Sequence, residues 1–115
     1  MDPLHLSTSR DDETVTVTVA GELDIATTEL LRGHLLELLR EAGRGRRDVS
    51  LVIEVGRLSF IDAAGLGILV SVRNQAVRQR TPVRLANVPP AMERLLRITG
   101  LDDHLTADGD GGPSR

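Results

Sequence analysis

Asp62 stands where an apolar stretch meets a run of helix-forming residues, in the sequence Phe60-Ile61-Asp62-Ala63-Ala64-Gly65-Leu66-Gly67. A carboxylate at this place can accept a hydrogen bond from a free N–H of the first helical turn, so Asp62 is predicted to be an N-cap. Gly65 and Gly67 would keep the turn narrow, so that another molecule could approach the backbone. The stretch predicts either a docking or regulatory site on a helix N-terminus or a turn that is merely capped.

Other groups that could do chemistry form no recognisable constellation. Gly65-x-Gly67 lacks the third glycine and the lysine of phosphate-binding loops, so a tight turn is the better interpretation. The histidines are scattered, without metal-ligand spacing: His5, His34 and His104. A basic cluster, Arg44, Arg46 and Arg47, is predicted to be solvated charge, with a contact to an acidic partner as the alternative. No nucleophile lies in a pattern with a base and an acid, so we expect neither an enzyme nor a cofactor.

Composition describes one domain with an aliphatic core. The chain has 115 residues, 40% of them hydrophobic, and Phe60 is its only aromatic residue. No run approaches the roughly 20 apolar residues of a membrane span, and the first residues do not form a signal peptide. Without cysteine there is no disulfide framework, and the net charge of −3 disfavours nonspecific binding to nucleic acid. We therefore expect a cytoplasmic protein.

The first half of the chain predicts a hairpin followed by a helix. A short strand begins at residues 4–6, Asp11-Asp12 forms the turn, and strict alternation over residues 14–19 marks a strand with one buried face. Residues 21–24 are predicted to be a turn-like break. Thr27 or Thr28 can cap the next helix, whose apolar stripe is Leu31, Leu35, Leu38, Leu39 and Ala42 and which ends at residues 43–45.

The second half predicts alternating strands and helices. An inner strand covers residues 49–55, because three consecutive apolar residues, 51–53, require both faces to be covered. A helix over residues 63–79, a strand over 83–86 and a helix from Pro89 or Pro90 to Gly100 follow, with Met92, Leu95 and Leu96 on the inner face of the last helix. A final strand is predicted near residues 104–106. The expected fold is α/β, a mixed sheet of order β-β-α-β-α-β-α-β with helices packed against it, in one domain over residues 1–106, with a disordered tail over 107–115.

The helix after Asp62 is apolar on more than one face in its first half. A helix packed on one side normally keeps a polar face, so two interpretations stay open. Part of its surface is covered by a partner, or the helix is buried between the sheet and another helix.

The whole pattern resembles the STAS domain family over roughly residues 4–106. Four motifs in order carry the resemblance: residues 21–24, Gly-Glu-Leu-Asp; residues 58–62, Leu-Ser-Phe-Ile-Asp; residues 65–67, Gly-Leu-Gly; and residues 85–90, Leu-Ala-Asn-Val-Pro-Pro, leading to 94–96 and 99–101. Each motif alone is weak, but their order and spacing are quite specific. A chain of this length resembles the anti-sigma factor antagonists of the family more than its sulfate transporter domains.

The resemblance implies a partner switch. The unmodified antagonist binds an anti-sigma factor, often a serine kinase of the histidine-kinase-like ATPase fold, and frees a sigma factor. The kinase then phosphorylates a Ser or Thr directly after the aspartate that matches Asp62. Ala63 stands at that place and Ala64 offers no substitute hydroxyl, so phosphoryl transfer there is chemically excluded. Three explanations of the alanine remain open: a constitutive antagonist, a protein with another partner, or an engineered substitution. Phosphorylation of Ser59, Thr27 or Thr28 instead is not expected.

The sequence hypothesis is therefore an anti-sigma factor antagonist without the usual phosphorylatable residue, and its alternative is a scaffold or accessory STAS subunit of a larger regulatory or membrane-associated complex. The predicted interface is the loop over residues 24–28, the turn over 59–66 and the exposed side of the second helix. Asp24 should offer charge to a basic patch and Gly65 should permit close approach. The predicted partner-binding residues are Asp24, Thr27, Thr28, Ser59, Asp62, Ala63, Ala64, Gly65 and Leu66.

Overall fold

The computed structural model describes residues 4–44 and 49–99, which form four strands and three helices. The strands are β1 (His5–Asp11), β2 (Thr14–Leu23), β3 (Ser50–Ile61) and β4 (Val83–Ala86), and the helices are α1 (Thr28–Arg44), α2 (Ala63–Arg78) and α3 (Pro90–Thr99). The predicted order is confirmed through α3. Gly100, the predicted last strand, the tail, and Arg46 and Arg47 lie outside the described residues.

The four strands lie side by side in the order of the chain, β1-β2-β3-β4. β1 and β2 are antiparallel, whereas the pairs β2–β3 and β3–β4 are parallel, which confirms the predicted mixed sheet. Parallel crossovers are right-handed, and here both proceed in the same direction across the sheet. α1 and α2 must therefore cover the same face, and the two helices do contact each other.

The hairpin between β1 and β2 turns one residue later than predicted. Asp11 still pairs with Thr14, so Asp12 and Glu13 make the two-residue connection. Asp12 has a φ of 59°, the left-handed conformation that such short hairpin turns require and that aspartate tolerates better than most residues.

The prediction of a turn-like break at residues 21–24 is wrong for the first three of these residues, because β2 continues to Leu23. Gly21 has a φ of 105°, and the register with β3 shifts beside it. The glycine that suggests a turn in the sequence thus serves an irregular strand, where a positive φ is needed without ending the pairing.

β3 is also longer than the predicted strand over residues 49–55. Between the pairs Thr18–Glu54 and Ala20–Arg57, β3 holds one residue more than β2, and the same happens between Gly21–Leu58 and Glu22–Phe60. Each extra residue is a β-bulge, which shifts the alternation of side chains by one. After the first bulge Leu58 faces the core and Arg57 does not.

An aliphatic core lies between the sheet and the helices, as the composition predicts. Its fully buried side chains include Val17, Leu35, Ile53, Leu66 and Leu96. Leu51, Val52 and Ile53 are all buried, which confirms the inner strand. The apolar residues of α2 mostly face this core, with Leu66, Leu69, Val72 and Ala76 buried and Ile68 and Val70 half-buried against it. The internal interpretation therefore accounts for most of the apolar surface of α2.

Candidate functional site

The turn from β3 into α2 is built around Asp62. Its carboxylate oxygen Oδ1 accepts a hydrogen bond from the Gly65 backbone N–H at 3.0 Å, and its backbone is extended, with φ −114° and ψ −175°. Its own N–H donates to the Leu23 carbonyl at 3.2 Å, so the cap is also tied to the end of β2. The N-cap prediction is confirmed, and the start of α2 is fixed beside the end of the neighbouring strand.

Ala63 is the first residue of α2, and its methyl group is exposed to solvent. Ala64, which follows, is half-buried. The first N–H groups of a helix have no partner inside the helix and carry its partial positive charge. A side chain at position 63 therefore projects from the positive end of α2, and here it brings only a methyl group.

Gly65 and Leu66 lie in the interior of the chain and not on the surface where the prediction placed them. Both are buried, and a Cβ placed on Gly65 would lie 2.7 Å from Leu23 Cγ and 2.8 Å from the Leu23 carbonyl oxygen. Glycine is needed there because the helix seats directly on β2 of the same chain. The close approach predicted for Gly65 is thus intramolecular, and the two residues are removed from the predicted interface.

The loop between β2 and α1 is organised by Asp24. Its Oδ1 accepts hydrogen bonds from the N–H groups of Ala26 and Thr27 at 3.0 and 3.2 Å, an Asx-type turn. Asp24 is half-buried and forms no ion pair with any described residue, so its negative charge stays available at the surface.

The two threonines of this loop do not act as predicted. The Thr27 hydroxyl donates to the Glu22 carbonyl at 2.9 Å and accepts from the Asp24 N–H at 3.0 Å, and the Thr28 hydroxyl donates to the Ile25 carbonyl. The Thr27 hydroxyl thus binds the end of β2 and the loop, the Thr28 hydroxyl binds the loop, and neither makes a described hydrogen bond that caps α1. Thr28 is also buried, which excludes it from a contact surface in this conformation.

Ser59 joins the second bulge of β3 to β2. Its hydroxyl donates to the Gly21 carbonyl at 3.1 Å, across the site of the register shift, while the residue itself stays exposed. Leu23 pairs with Ile61 just beyond. The carboxyl ends of two parallel strands thus bring the Asp24 loop and the Asp62 turn to one edge of the sheet, where open α/β sheets usually bind their ligands and partners.

Two apolar residues inside the predicted interface ranges, but not among the named partner-binding residues, project from this edge. Ile25 is 78% exposed and Phe60 is 49% exposed. Phe60 borders a shallow groove that is also lined by Pro89, Ala91 and Met92. The available signal was that Phe60 is the only aromatic residue, in a core otherwise made of aliphatic side chains. We define the docking surface as Asp24, Ile25, Thr27, Ser59, Phe60, Asp62, Ala63 and Ala64.

Neither a metal centre nor a membrane helix is found in the part of the chain that the structure describes. No three potential metal ligands lie together within residues 4–44 and 49–99. His34 instead makes a 2.7 Å hydrogen bond to the Thr8 hydroxyl, which links α1 to β1. Within the same ranges, no helix has the length and apolar character needed to span a bilayer.

Comparison with known proteins gives consistent results. A family model described as Mlab, STAS domain, matches residues 6–107. An anti-sigma-B factor antagonist of Bacillus subtilis is 27% identical over 111 residues, which cover 95% of this chain and 96% of that protein. The Staphylococcus aureus protein of the same name is 30% identical over 100 residues, which cover 87% of this chain and 88% of that protein.

Solved structures have the same fold. An anti-sigma factor antagonist from Mycobacterium paratuberculosis superposes with a TM-score of 0.75 at 23% identity, covering 89% of this chain and 82% of that one. A putative anti-sigma factor antagonist from Thermotoga maritima gives a TM-score of 0.76 at 19% identity, covering 88% and 83%. The Bacillus cell fate determinant SpoIIAA in its phosphorylated form gives a TM-score of 0.67 at 20% identity, covering 96% of this chain and 93% of that one.

Proposed function

The chain belongs to the STAS domain family, here a binding protein rather than an enzyme, and we propose that it is a cytoplasmic anti-sigma factor antagonist. It would bind an anti-sigma factor through the docking surface and so release a sigma factor. The observation that carries this proposal is the exposed N-terminus of α2, capped by Asp62 and flanked by the exposed side chains of Ile25 and Phe60.

The composition of the docking surface suits a protein partner. Exposed apolar side chains such as Phe60 gain most when a partner covers them, and aromatic residues are enriched at interfaces. Asp24 and Asp62 add two carboxylates that no described arginine neutralises. A partner with an apolar contact and a basic rim would complement both features.

The partner would be an anti-sigma factor of the serine kinase type, as the family resemblance implies. A phosphate adds about −1.5 to −2 charges, which a helix N-terminus tolerates and a close interface does not. With alanine at position 63 this chain has no acceptor there. We propose that its binding is not switched by phosphorylation at this site, so its abundance would set how much sigma factor is released.

The substitution Ala63→Glu tests the docking surface. A carboxylate at the first position of α2 complements the helix dipole, so folding should be unharmed while binding weakens by about tenfold or more from the added charge. The anti-sigma factor would first be captured from the source cell with the unaltered chain, and affinities then measured by calorimetry. Ser9→Glu adds the same charge on exposed β1 and serves as the control. Equal affinity of the Ala63→Glu variant and the unaltered chain would exclude this surface.

A scaffold or accessory subunit of a larger complex is the second candidate. One observation favours it: the acceptor hydroxyl on which the phosphorylation switch would depend is missing at position 63. Capture of a transporter or scaffold component instead of an anti-sigma kinase, with binding lost on Ala63→Glu, would support this candidate.

A further inference from the structure

Charge is divided unequally between the two described parts of the chain. Residues 4–44 hold eight acidic and four basic side chains, a net charge of −4, whereas residues 49–99 hold three acidic and seven basic side chains, a net charge of +4. Since the strand order follows the chain, β1, β2 and α1 form one side of the molecule and β3, β4 and the later helices the other. The part of the chain that the structure describes therefore has an acidic side and a basic side.

Ion pairing does not reduce this contrast. The three ion pairs of the described residues all lie on the acidic side: Arg10–Glu41, Arg32–Glu29 and Arg40–Glu37. None of the seven arginines between residues 49 and 99 pairs with a described carboxylate, and six of them are exposed. Guanidinium groups are charged in proteins, so within the described residues the basic side carries positive charge that no ion pair neutralises.

Three of these arginines lie on the consecutive elements β4 and α3. Arg84 is exposed on β4. Arg94 and Arg97 lie on α3, Arg94 one turn before Ile98 and Arg97 directly before it. Ile98 is 74% exposed. An exposed aliphatic side chain beside arginines is typical of a protein contact surface, in which arginine is enriched around apolar centres.

We propose that Arg84, Arg94, Arg97 and Ile98 form a basic face that binds an acidic protein surface, separate from the docking surface. The two surfaces share no residue, because the docking surface lies on the β2–α1 loop and the β3–α2 turn, whereas these four residues lie on β4 and α3. A protein fits better than a nucleic acid, because no aromatic side chain lies on the basic face for stacking on bases. It also fits better than a membrane, because membrane-binding helices present several apolar anchors and this face presents one.

The test uses the full chain and poly-L-glutamate as a defined acidic polypeptide. Amide resonances of Arg84, Arg94, Arg97 and Ile98 should shift on titration at low salt, and the affinity should fall as salt is raised. Replacing the three arginines of the basic face by glutamine should weaken binding about tenfold, as the sum of three exposed ion pairs. The matched control replaces Arg10, Arg32 and Arg40 by glutamine, which removes the same charge from the acidic side and should change affinity by less than about twofold.

Several outcomes would overturn the proposal. Absence of binding, resonance shifts on β1 or α1, or equal weakening by both triple variants would each refute the basic face. Tighter binding to duplex DNA or to phosphatidylglycerol vesicles than to poly-L-glutamate, compared at equal charge concentration, would assign the face to another class of partner. Because Ala63→Glu leaves these four residues unchanged, failure of the docking surface and failure of the basic face are separate results.

Discussion

Single residues at the start of α2 have roles that hydrogen bonds and clearances identify. Asp62 accepts one hydrogen bond that α2 cannot provide for itself, and Gly65 gives the clearance that lets the helix seat on Leu23. Gly67, two residues further, has nothing within 4 Å of the position that a Cβ would take. Stability and contact with a partner can therefore be separated residue by residue.

Asp62→Ala should lower the free energy of unfolding by about 1 kcal/mol, because the Gly65 N–H loses its cap acceptor. Asp62→Asn keeps an oxygen acceptor of the same shape and should cost only a few tenths of that amount. Urea unfolding followed by circular dichroism measures both. If the asparagine variant were as unstable as the alanine variant, the negative charge rather than the hydrogen bond would be the stabilising feature.

Gly65→Ala and Gly67→Ala should change stability in opposite directions. At position 65 the methyl group meets both the side chain and the carbonyl oxygen of Leu23, so the helix must move and we expect a loss of about 1–3 kcal/mol. At position 67 alanine replaces a glycine in an open helical position and should add about 0.5–1 kcal/mol. Thermal unfolding of the two variants in parallel checks the sign, and stabilisation by both would contradict the seating of α2 on β2.

At the scale of elements, the two bulges of β3 determine what the docking surface contains. Glu54 holds the first bulge, because its carboxylate accepts from the Gly56 N–H at 3.0 Å and from Asn87 Nδ2 at 2.7 Å. Asn87 has a φ of 57° in the turn that leads to α3. Together the bulges lengthen β3 by two residues against β2, which places Ile61 beside Leu23 and leaves Ser59 and Phe60 exposed.

Gly56→Ala should therefore disturb more than one residue. A Cβ at position 56 would lie 2.8 Å from Glu54 Oε2 and 3.0 Å from Asn87 Cβ, so the hydrogen bonds of Glu54 must rearrange, at a cost of about 1–2 kcal/mol. Gly33→Ala, with nothing within 4 Å on α1, is the matched control and should stabilise the chain. Amide hydrogen exchange should show faster opening at residues 57–60 in the first variant alone; unchanged exchange there would contradict the role of the first bulge.

The sequence predicted the elements better than their irregularities. The sequence pattern identified α2 and β4, and the chemistry of the carboxylate identified the Asp62 cap, because each depends on local spacing or a local hydrogen bond. The pattern could not predict that β2 and β3 continue past Gly21 and Gly56, because a glycine in a bulge and a glycine in a turn look alike without the partner strand. The burial of Gly65 and Leu66 likewise depends on Leu23, which is far away in sequence. The backbone around Thr27 decides whether its hydroxyl caps a helix or binds a loop, and the sequence alone does not give that backbone.

At the scale of the whole molecule, the proposed docking surface has no acceptor for a phosphate at position 63. If the partner is a serine kinase, Ala63→Ser should restore an acceptor hydroxyl on the first residue of α2. Incubation of this variant with the captured anti-sigma factor and ATP should add one phosphate, detectable by mass spectrometry, and the phosphorylated chain should dissociate because the new charge cannot be buried in the interface. The unaltered chain should remain unmodified and bound, and Ser71, exposed on the same helix in both proteins, controls for nonspecific transfer. Transfer to Ser71 or to the unaltered chain would place control at another residue, whereas binding of the Ala63→Ser variant without any transfer would point to a partner that is not a kinase.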